Sequence, residues 1–234
     1  MSVLENLRGL PHRKAAGVLL ADGWGVCGVG DWATVWSSPG GGQVARISPF
    51  EPAYGVFVQL CRQLAGHPLL PRIDSDFPLK GGGRLTAMEF LMPVEPEDAV
   101  AVVERWEDAS PEDPITEVRQ EAERLNVEAN LAVPFWGGLD LNPGNVMQDT
   151  SGNFKLVDLF FAAGLEIYRV LLEEPAKIAE VFPPDQREYI CDIAAITRQS
   201  TPAEIAELKA VKETIEKGRP LRGYDGGFIG AKFR

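Results

Sequence analysis

The chain has 234 residues and a formal net charge of −11, and its hydrophobic (45%) and charged (24%) fractions are ordinary globular values that exclude wholesale disorder. It has no membrane-length apolar run and no signal-peptide layout, and its three scattered cysteines and two histidines exclude a disulfide scaffold and a histidine-rich metal site, so we expect a cytoplasmic protein. The negative charge argues against nucleic-acid binding, because phosphate contacts need clustered lysines and arginines.

The first third of the chain is predicted to be rich in β-strands. Val26–Trp36 mixes glycine, β-branched and aromatic residues and predicts two strands, and a third follows at 43–47. Apolar residues at helical spacing predict a helix over 52–64. Two more strands are expected at Ile73 and at Arg84–Leu91, separated by a run of three glycines.

After Pro93 the pattern becomes helical. Two helices are predicted between 97 and 131, the second beginning at Ser110 with a proline in its first turn. Residues 95–128 carry a net charge of −9, which indicates either a solvated helical face or a surface that attracts a basic protein partner. The segment 164–217 is also predicted to be helical and contains the capping box Thr201-Pro202-Ala203-Glu204.

These elements divide the chain into three parts. We expect a β-rich N-terminal lobe over 1–92, a helical C-terminal lobe over 93–217 and a loose basic tail over 218–234. The fold class predicted from this order is α+β.

A glycine-rich motif lies in the first predicted hairpin. Residues 28–35 read G-x-G-x-x-A-x-V, and the missing side chains at Gly28 and Gly30 would let backbone N–H groups approach phosphate oxygens. A strand rather than a helix is expected after it, so it is not a dinucleotide-binding fingerprint. A tight hairpin with two structural glycines would read the same way.

The sequence 140–158 carries the most specific chemical signal. It contains D-L-x-P-x-N, with Asp140 and Asn145, and Asp158 follows thirteen residues later behind a short apolar strand. This order suits phosphoryl transfer: the first carboxylate receives or orients the proton of an acceptor hydroxyl, and the amide and second carboxylate oxygens suit Mg²⁺. An ordinary Asp-Asn-Pro-Gly loop remains the alternative reading.

Together these motifs resemble the protein-kinase-like fold that eukaryotic-type protein kinases share with aminoglycoside phosphotransferases. The resemblance covers residues 24–160 in order, and within that fold the outline is similar to the small serine/threonine kinases of short-tailed lytic bacteriophages. It implies a two-lobed protein, with an abridged lower lobe because only 76 residues follow Asp158. It also implies an ATP site between the lobes, Mg²⁺, a protein substrate or partner, and a host-cytoplasm location.

The resemblance also implies a role for each matching residue. Asp140 would be the catalytic carboxylate, Asn145 and Asp158 the metal ligands, and Arg46 would stand at the position of the phosphate-binding lysine. The remaining matches would bind ATP: the phosphates lie under Gly28, Gly30 and Ala33, the adenine packs on Val35 and Val44, Met88 is the gatekeeper, and the backbone of Glu89 and Leu91 hydrogen-bonds the base.

Several positions depart from the kinase pattern. Arg46 replaces the usual lysine, and the planar guanidinium is not interchangeable with an ammonium group. The helix over 52–64 offers Val58 and Gln59 where a glutamate partner is usual, so we expect that the usual ion pair cannot form. The sequence leaves three hypotheses open: an atypical serine/threonine protein kinase, a nucleotide-binding pseudokinase that controls a partner, and a kinase for a small hydroxylated metabolite.

Overall fold

Five antiparallel strands form the main sheet, in the order β1-β2-β3-β5-β4, in the computed structural model, which describes residues 3–217. Both faces of the sheet are covered, because Val44 and Met88 join one apolar cluster while their neighbours Ala45 and Ala87 join another. The predicted strands are confirmed, and the protein is an α+β protein with antiparallel sheets. The strands are β1 (Gly25–Val29), β2 (Thr34–Ser37), β3 (Gln43–Ser48), β4 (Ile73–Pro78) and β5 (Arg84–Glu89).

Two helices pack on this sheet. Helix α1 (His12–Ala21), which we did not predict, follows a short 3-10 helix and places Ala15 and Leu19 against Ile47 and its neighbours on one face. Helix α2 (Tyr54–Gln63) is the helix predicted over 52–64, and it packs Phe57 and Leu60 into the cluster on the other face.

The acidic segment forms helices α3 (Pro96–Asp108) and α4 (Pro114–Ala132). The predicted start of the second helix was wrong by one turn: Ser110–Asp113 forms a turn closed by Asp113 N–H donating to the Ser110 carbonyl. Asp113 is the cap instead, since its carboxylate accepts from Ile115 N at 2.9 Å. Proline at 114 then takes the first helical position, where a missing N–H costs nothing.

Two small sheets follow the acidic helices and hold the loops that carry the sequence motif. Strand β7 (Trp136–Leu139) pairs with β10 (Phe160–Ala162), and β8 (Val146–Gln148) pairs with β9 (Phe154–Leu156) and with the two-residue β6 (Met92–Pro93). The loops 140–145 and 157–159 therefore meet at one edge of these sheets.

Four C-terminal helices complete the described chain: α5 (Gly164–Glu173), α6 (Pro175–Val181), α7 (Ala194–Gln199) and α8 (Pro202–Glu216). The predicted capping box is confirmed at the start of α8, where Thr201 and Glu204 exchange side-chain-to-backbone hydrogen bonds. The predicted basic tail, 218–234, lies outside the described residues. Within the described part, no helix is long and apolar enough to cross a membrane.

The C-terminal region does not stay with the other helices but returns to the main sheet. Asp192 lies 2.9 Å from the guanidinium of Arg13 in α1. The turn between β4 and β5 packs under Gln186: Gly82 has φ +95°, and a Cβ there would lie 1.7 Å from the Gln186 carbonyl oxygen. The glycine run at 81–83 is therefore required by this crossing as well as by the turn.

Candidate active site

A backbone hydrogen bond joins the two loops of the sequence motif. Asp140 N–H donates to the Leu159 carbonyl at 2.9 Å, directly after the β7–β10 pairing ends. Val157 N–H donates to the Asn145 carbonyl at 2.8 Å. The structure therefore brings Asp140, Asn145 and Asp158 together, as the sequence predicted for a shared site.

Asn145 connects the backbone at Asp140 and at Asp158 through its side-chain amide. Its Nδ2 donates to the Asp140 carbonyl at 2.6 Å and to the Asp158 carbonyl at 3.3 Å. Two carbonyl acceptors fix which end of the amide is nitrogen. The Asn145 Oδ1 accepts no hydrogen bond within residues 3–217, so this hard oxygen is available to a cation.

Asn142 holds the carboxylate of Asp140, a role that the sequence analysis did not assign. Its Nδ2 donates to Asp140 Oδ1 at 2.9 Å, and its Oδ1 accepts from Gly144 N at 2.8 Å. The side chain is thus fixed at both ends and orients one oxygen of Asp140, leaving Oδ2 for other partners. The Asn-Pro-Gly sequence could have indicated this bridge, because asparagine commonly bonds the backbone two residues on.

Asp158 carries a carboxylate that its surroundings do not satisfy. Its backbone has φ 49°, in the left-handed region, and its Oδ1 is buried with no hydrogen-bond partner in the described structure. The rest of the side chain reaches solvent, with 47% of the side chain exposed. Burial raises the pKa of Asp158, Arg46 opposes that shift, and the nearby Glu51 and Asp140 carboxylates add to it.

Arg46 is paired with a glutamate that lies outside helix α2. Its Nη1 donates to Glu51 Oε2 at 2.7 Å, its Nε lies 3.7 Å from Asp158 Oδ1, and its guanidinium lies 3.7 Å from the ring centroid of Tyr54. The usual ion pair with a glutamate of the helix does not form, as expected, because the partner Glu51 comes from the loop before α2. Val58 is fully buried and Gln59 points to solvent, so neither could serve.

The glycine-rich motif forms the β1–β2 hairpin. Gly28 pairs with Val35 beside a bulge, and Gly30 N–H donates to the Ala33 carbonyl at 2.9 Å to close the turn. Ala33 is only 4% exposed, and it lines a cavity of about 100 Å³ together with α1 residues and Asp192. The tip of the hairpin is thus packed against other parts of the chain.

The residues that the resemblance assigns to adenine lie around one apolar cluster. Val44 and Met88 are buried members, and Val35 packs against it together with Leu141 and Val157 from the motif loops. Glu89 N–H donates to the Arg72 carbonyl at 3.2 Å, on the side of β4. Leu91 lies outside the strands and, within the described residues, makes none of the turn or loop backbone hydrogen bonds.

The oxygen donors at this site suit magnesium held jointly with phosphates. Among the described residues, Asp158 Oδ1 is buried and accepts no hydrogen bond, although Arg46 Nε lies 3.7 Å away, and Asn145 Oδ1 likewise accepts none. Mg²⁺ usually takes one or two protein oxygens and completes its shell with water and substrate phosphates. Within residues 3–217, no group of three or more His, Cys, Asp or Glu is placed to hold a metal without such a ligand.

A second cavity lies between the end of α4 and strand β7. It has a volume of about 280 Å³ and is lined by the end of α4 and by Gly137 and Gly138 of β7, immediately before Leu139 and Asp140. Leu131 at its edge is 86% exposed. The lining combines polar residues such as Asn126 and Asn130 with apolar ones such as Val127.

No model of a known protein family matches the chain, and no curated protein is significantly similar to it in sequence.

Proposed function

We propose that the protein is an atypical kinase of two lobes, which transfers the γ-phosphoryl group of ATP to a serine or threonine hydroxyl of a protein. The observation that carries the proposal is the Asn145 amide, which ties the Asp140 and Asp158 segments together and leaves oxygens of all three residues for chemistry. The antiparallel sheet with α2 behind it supports the ATP-binding lobe, and α3 onward supports the helical lobe.

The residues divide the work of phosphoryl transfer among them. Asp140, which Asn142 holds in place, accepts the proton of the acceptor hydroxyl. The hydroxyl oxygen then forms a bond to the γ-phosphorus of ATP while the bond from that phosphorus to the leaving ADP oxygen breaks. Asn145 and Asp158 would hold Mg²⁺, which would supply positive charge to neutralise the phosphates. Arg46, kept in place by Glu51, contributes a fixed positive charge beside Asp158.

Label transfer tests the proposal directly. Incubation with γ-labelled ATP, Mg²⁺ and a mixture of protein acceptors should label an acceptor, and Asp140→Asn should reduce the rate by roughly 10²- to 10⁴-fold, the range for loss of an acid–base group. Equal labelling by both proteins would sink the proposal.

A second candidate is a nucleotide-binding pseudokinase, and the environment of Arg46 favours it. The Arg46 side chain is 9% exposed, and its contacts with Glu51, Asp158 and Tyr54 are all internal. A guanidinium held in this way has little freedom to reach a phosphate. ATP-dependent thermal stabilisation without turnover would identify this function, whereas a rate abolished by Asp158→Ala would remove it.

The acidic helices supply the proposed attraction for a basic protein. Glu104, Glu107 and Asp108 on α3 are exposed, and none forms an ion pair with a described residue. Unpaired surface carboxylates keep their full field toward a partner, which speeds association with a positively charged surface.

A further inference from the structure

The tip of the glycine-rich hairpin is bound to the C-terminal helix α7. Arg198 Nη2 donates to the Gly30 carbonyl at 2.9 Å and to Asp31 Oδ1 at 3.1 Å. In addition, Ala195 N–H donates to the Asp31 carbonyl at 2.9 Å. Three hydrogen bonds therefore join two turn residues to a helix more than 160 residues later in the chain.

An aromatic side chain adds a fourth contact. Trp32, at the same turn, packs against the apolar cluster of the C-terminal helices, with its ring 6.4 Å from that of Phe50. A Cβ placed on Gly164, the first residue of α5, would lie 3.1 Å from Trp32 Cζ2. The absence of a side chain at 164 thus lets the indole lie directly on the start of α5.

We infer that Arg198 and Trp32 are positioning residues that hold the glycine-rich hairpin down over the nucleotide cleft, so that nucleotide enters and leaves only when the hairpin separates from α7 and α5. This inference rests on the proposed nucleotide site. It assigns to the C-terminal helices the control of the hairpin that would cover the phosphates.

The short chain between Asp158 and α5 leaves the C-terminal helices as the elements that control the hairpin. Only residues 159–163 separate Asp158 from the first residue of α5, so the described structure has no long segment there to be ordered by phosphorylation. The hairpin cannot lift from the cleft without breaking the Arg198 bonds and withdrawing Trp32. The Arg198 and Asp31 side chains are 47% and 71% exposed, so their ion pair is screened by salt and can open reversibly.

Hydrogen exchange in the absence of nucleotide tests the hold itself. Two variants weaken the contact between the hairpin and the C-terminal helices. Arg198→Ala removes the Arg198 hydrogen bonds, and Gly164→Val displaces Trp32. Arg169→Ala is the matched control, because Arg169 is also 47% exposed and its ion pairs among the described residues are with Glu166 and Glu173 on its own helix. We expect peptides covering 28–34 and 193–199 to exchange roughly two- to fivefold faster in both test variants, the scale of a surface ion pair.

Stopped-flow binding of a fluorescent ATP analogue with Mg²⁺ then tests the gating. The rates of nucleotide association and dissociation should both rise in Arg198→Ala, by about the same factor as its hydrogen exchange, and stay unchanged in Arg169→Ala. Added salt should raise both nucleotide rates in the wild-type protein. Unchanged hydrogen exchange, or faster hydrogen exchange with unchanged nucleotide rates, would overturn the inference. Absence of nucleotide binding in every protein would overturn the proposed function and the gating together, and the exchange data would then describe a purely structural contact.

Discussion

Arg46 and Glu51 form a buried ion pair, with 2.7 Å between Nη1 and Oε2 and with side chains that are 9% and 4% exposed. Glu51 also accepts a hydrogen bond from Tyr54 N through its other oxygen, so the same carboxylate caps the first turn of α2. The pair therefore ties strand β3 to α2 and presents Arg46 to Asp158. Removing one partner from such a pair leaves the other charge buried and unpaired.

Substitution of Arg46 by methionine should destabilise the protein by roughly 3–5 kcal/mol, because Glu51 would lose its counter-charge in a buried position. The double variant Arg46→Met/Glu51→Gln should recover most of that loss, since glutamine keeps the acceptor for Tyr54 N without the charge. Urea denaturation of the four proteins in the cycle measures the coupling between the two residues. A near-zero coupling would show that the two side chains do not interact in solution.

Substitution of Asp158 by asparagine should stabilise the protein without ligand by up to about 1 kcal/mol, a small effect because 47% of the side chain is exposed and water screens its interactions. Asparagine tolerates the left-handed backbone of this position and removes a carboxylate that burial and the neighbouring acids disfavour. The same variant should lose the stabilisation by Mg²⁺ with ATP. Thermal unfolding with and without nucleotide gives both quantities, and a less stable ligand-free variant would contradict the interpretation.

The raised pKa of Asp158 also sets the sign of a pH effect. The folded protein keeps the proton to a higher pH than the unfolded chain, whose carboxyl has an ordinary value near 3.8. The contribution of Asp158 to stability is therefore complete below the pKa of the unfolded chain. It is lost as the pH rises through the higher pKa that Asp158 has in the folded protein. Asp158→Asn should remove this slope, measured as the difference between wild-type and variant unfolding free energies over the acidic range. If the variant kept the same dependence of unfolding free energy on pH, that dependence would come from a group other than Asp158.

Substitution of Asn142 by alanine should lower kcat by roughly 10- to 100-fold with little change in KM for ATP, because Asp140 would lose the hydrogen bond that orients it. Asn153→Ala is the matched control, since Asn153 makes an equivalent bond to Asp149 in a turn outside the site. The comparison uses steady-state kinetics on whichever acceptor is labelled. Equal losses in the two variants would show a general effect on folding and not on Asp140.

Charge reversal of Glu104, Glu107 and Asp108 to lysine should slow association with a basic protein partner and reduce the salt dependence of that association. Reversal of Glu5, Glu180 and Asp185, which are also exposed, changes the net charge equally at other places and serves as the control. Surface plasmon resonance over a range of salt concentrations compares the two triple variants. If both behave alike, the acidic helices act only on solubility.

Local patterns predicted most of the strands and helices, because alternation and helical spacing are properties of neighbouring residues. The capping box at Thr201 and the glycine hairpin belong to the same class. The sequence also placed Asp140, Asn145 and Asp158 in one site by their order along the chain. Helix α1 was missed because its apolar side, around Ala15 and Leu19, is narrow.

Contacts between distant parts of the chain could not be predicted from local sequence patterns. Glu51 was overlooked because a partner was sought at helical positions, whereas the loop before α2 supplies it. The return of the C-terminal region to the sheet depends on tertiary packing that no local pattern records. The three glycines at 81–83 were read as a turn, although the crossing chain at Gln186 is what excludes a side chain at Gly82.

The return of residues 186–198 to the sheet has a consequence for how the protein folds. Arg13 and Asp192 are 179 positions apart, and Gly30 and Arg198 are 168 apart, so each of these contacts closes a very long loop. Loop-closure entropy makes such contacts slow to form. During synthesis on the ribosome, the glycine-rich hairpin and the turn between β4 and β5 therefore stay uncovered until residues 186–198 have been synthesised. Refolding should accordingly show a late phase in which Trp32 packs against the C-terminal cluster after the sheet has formed.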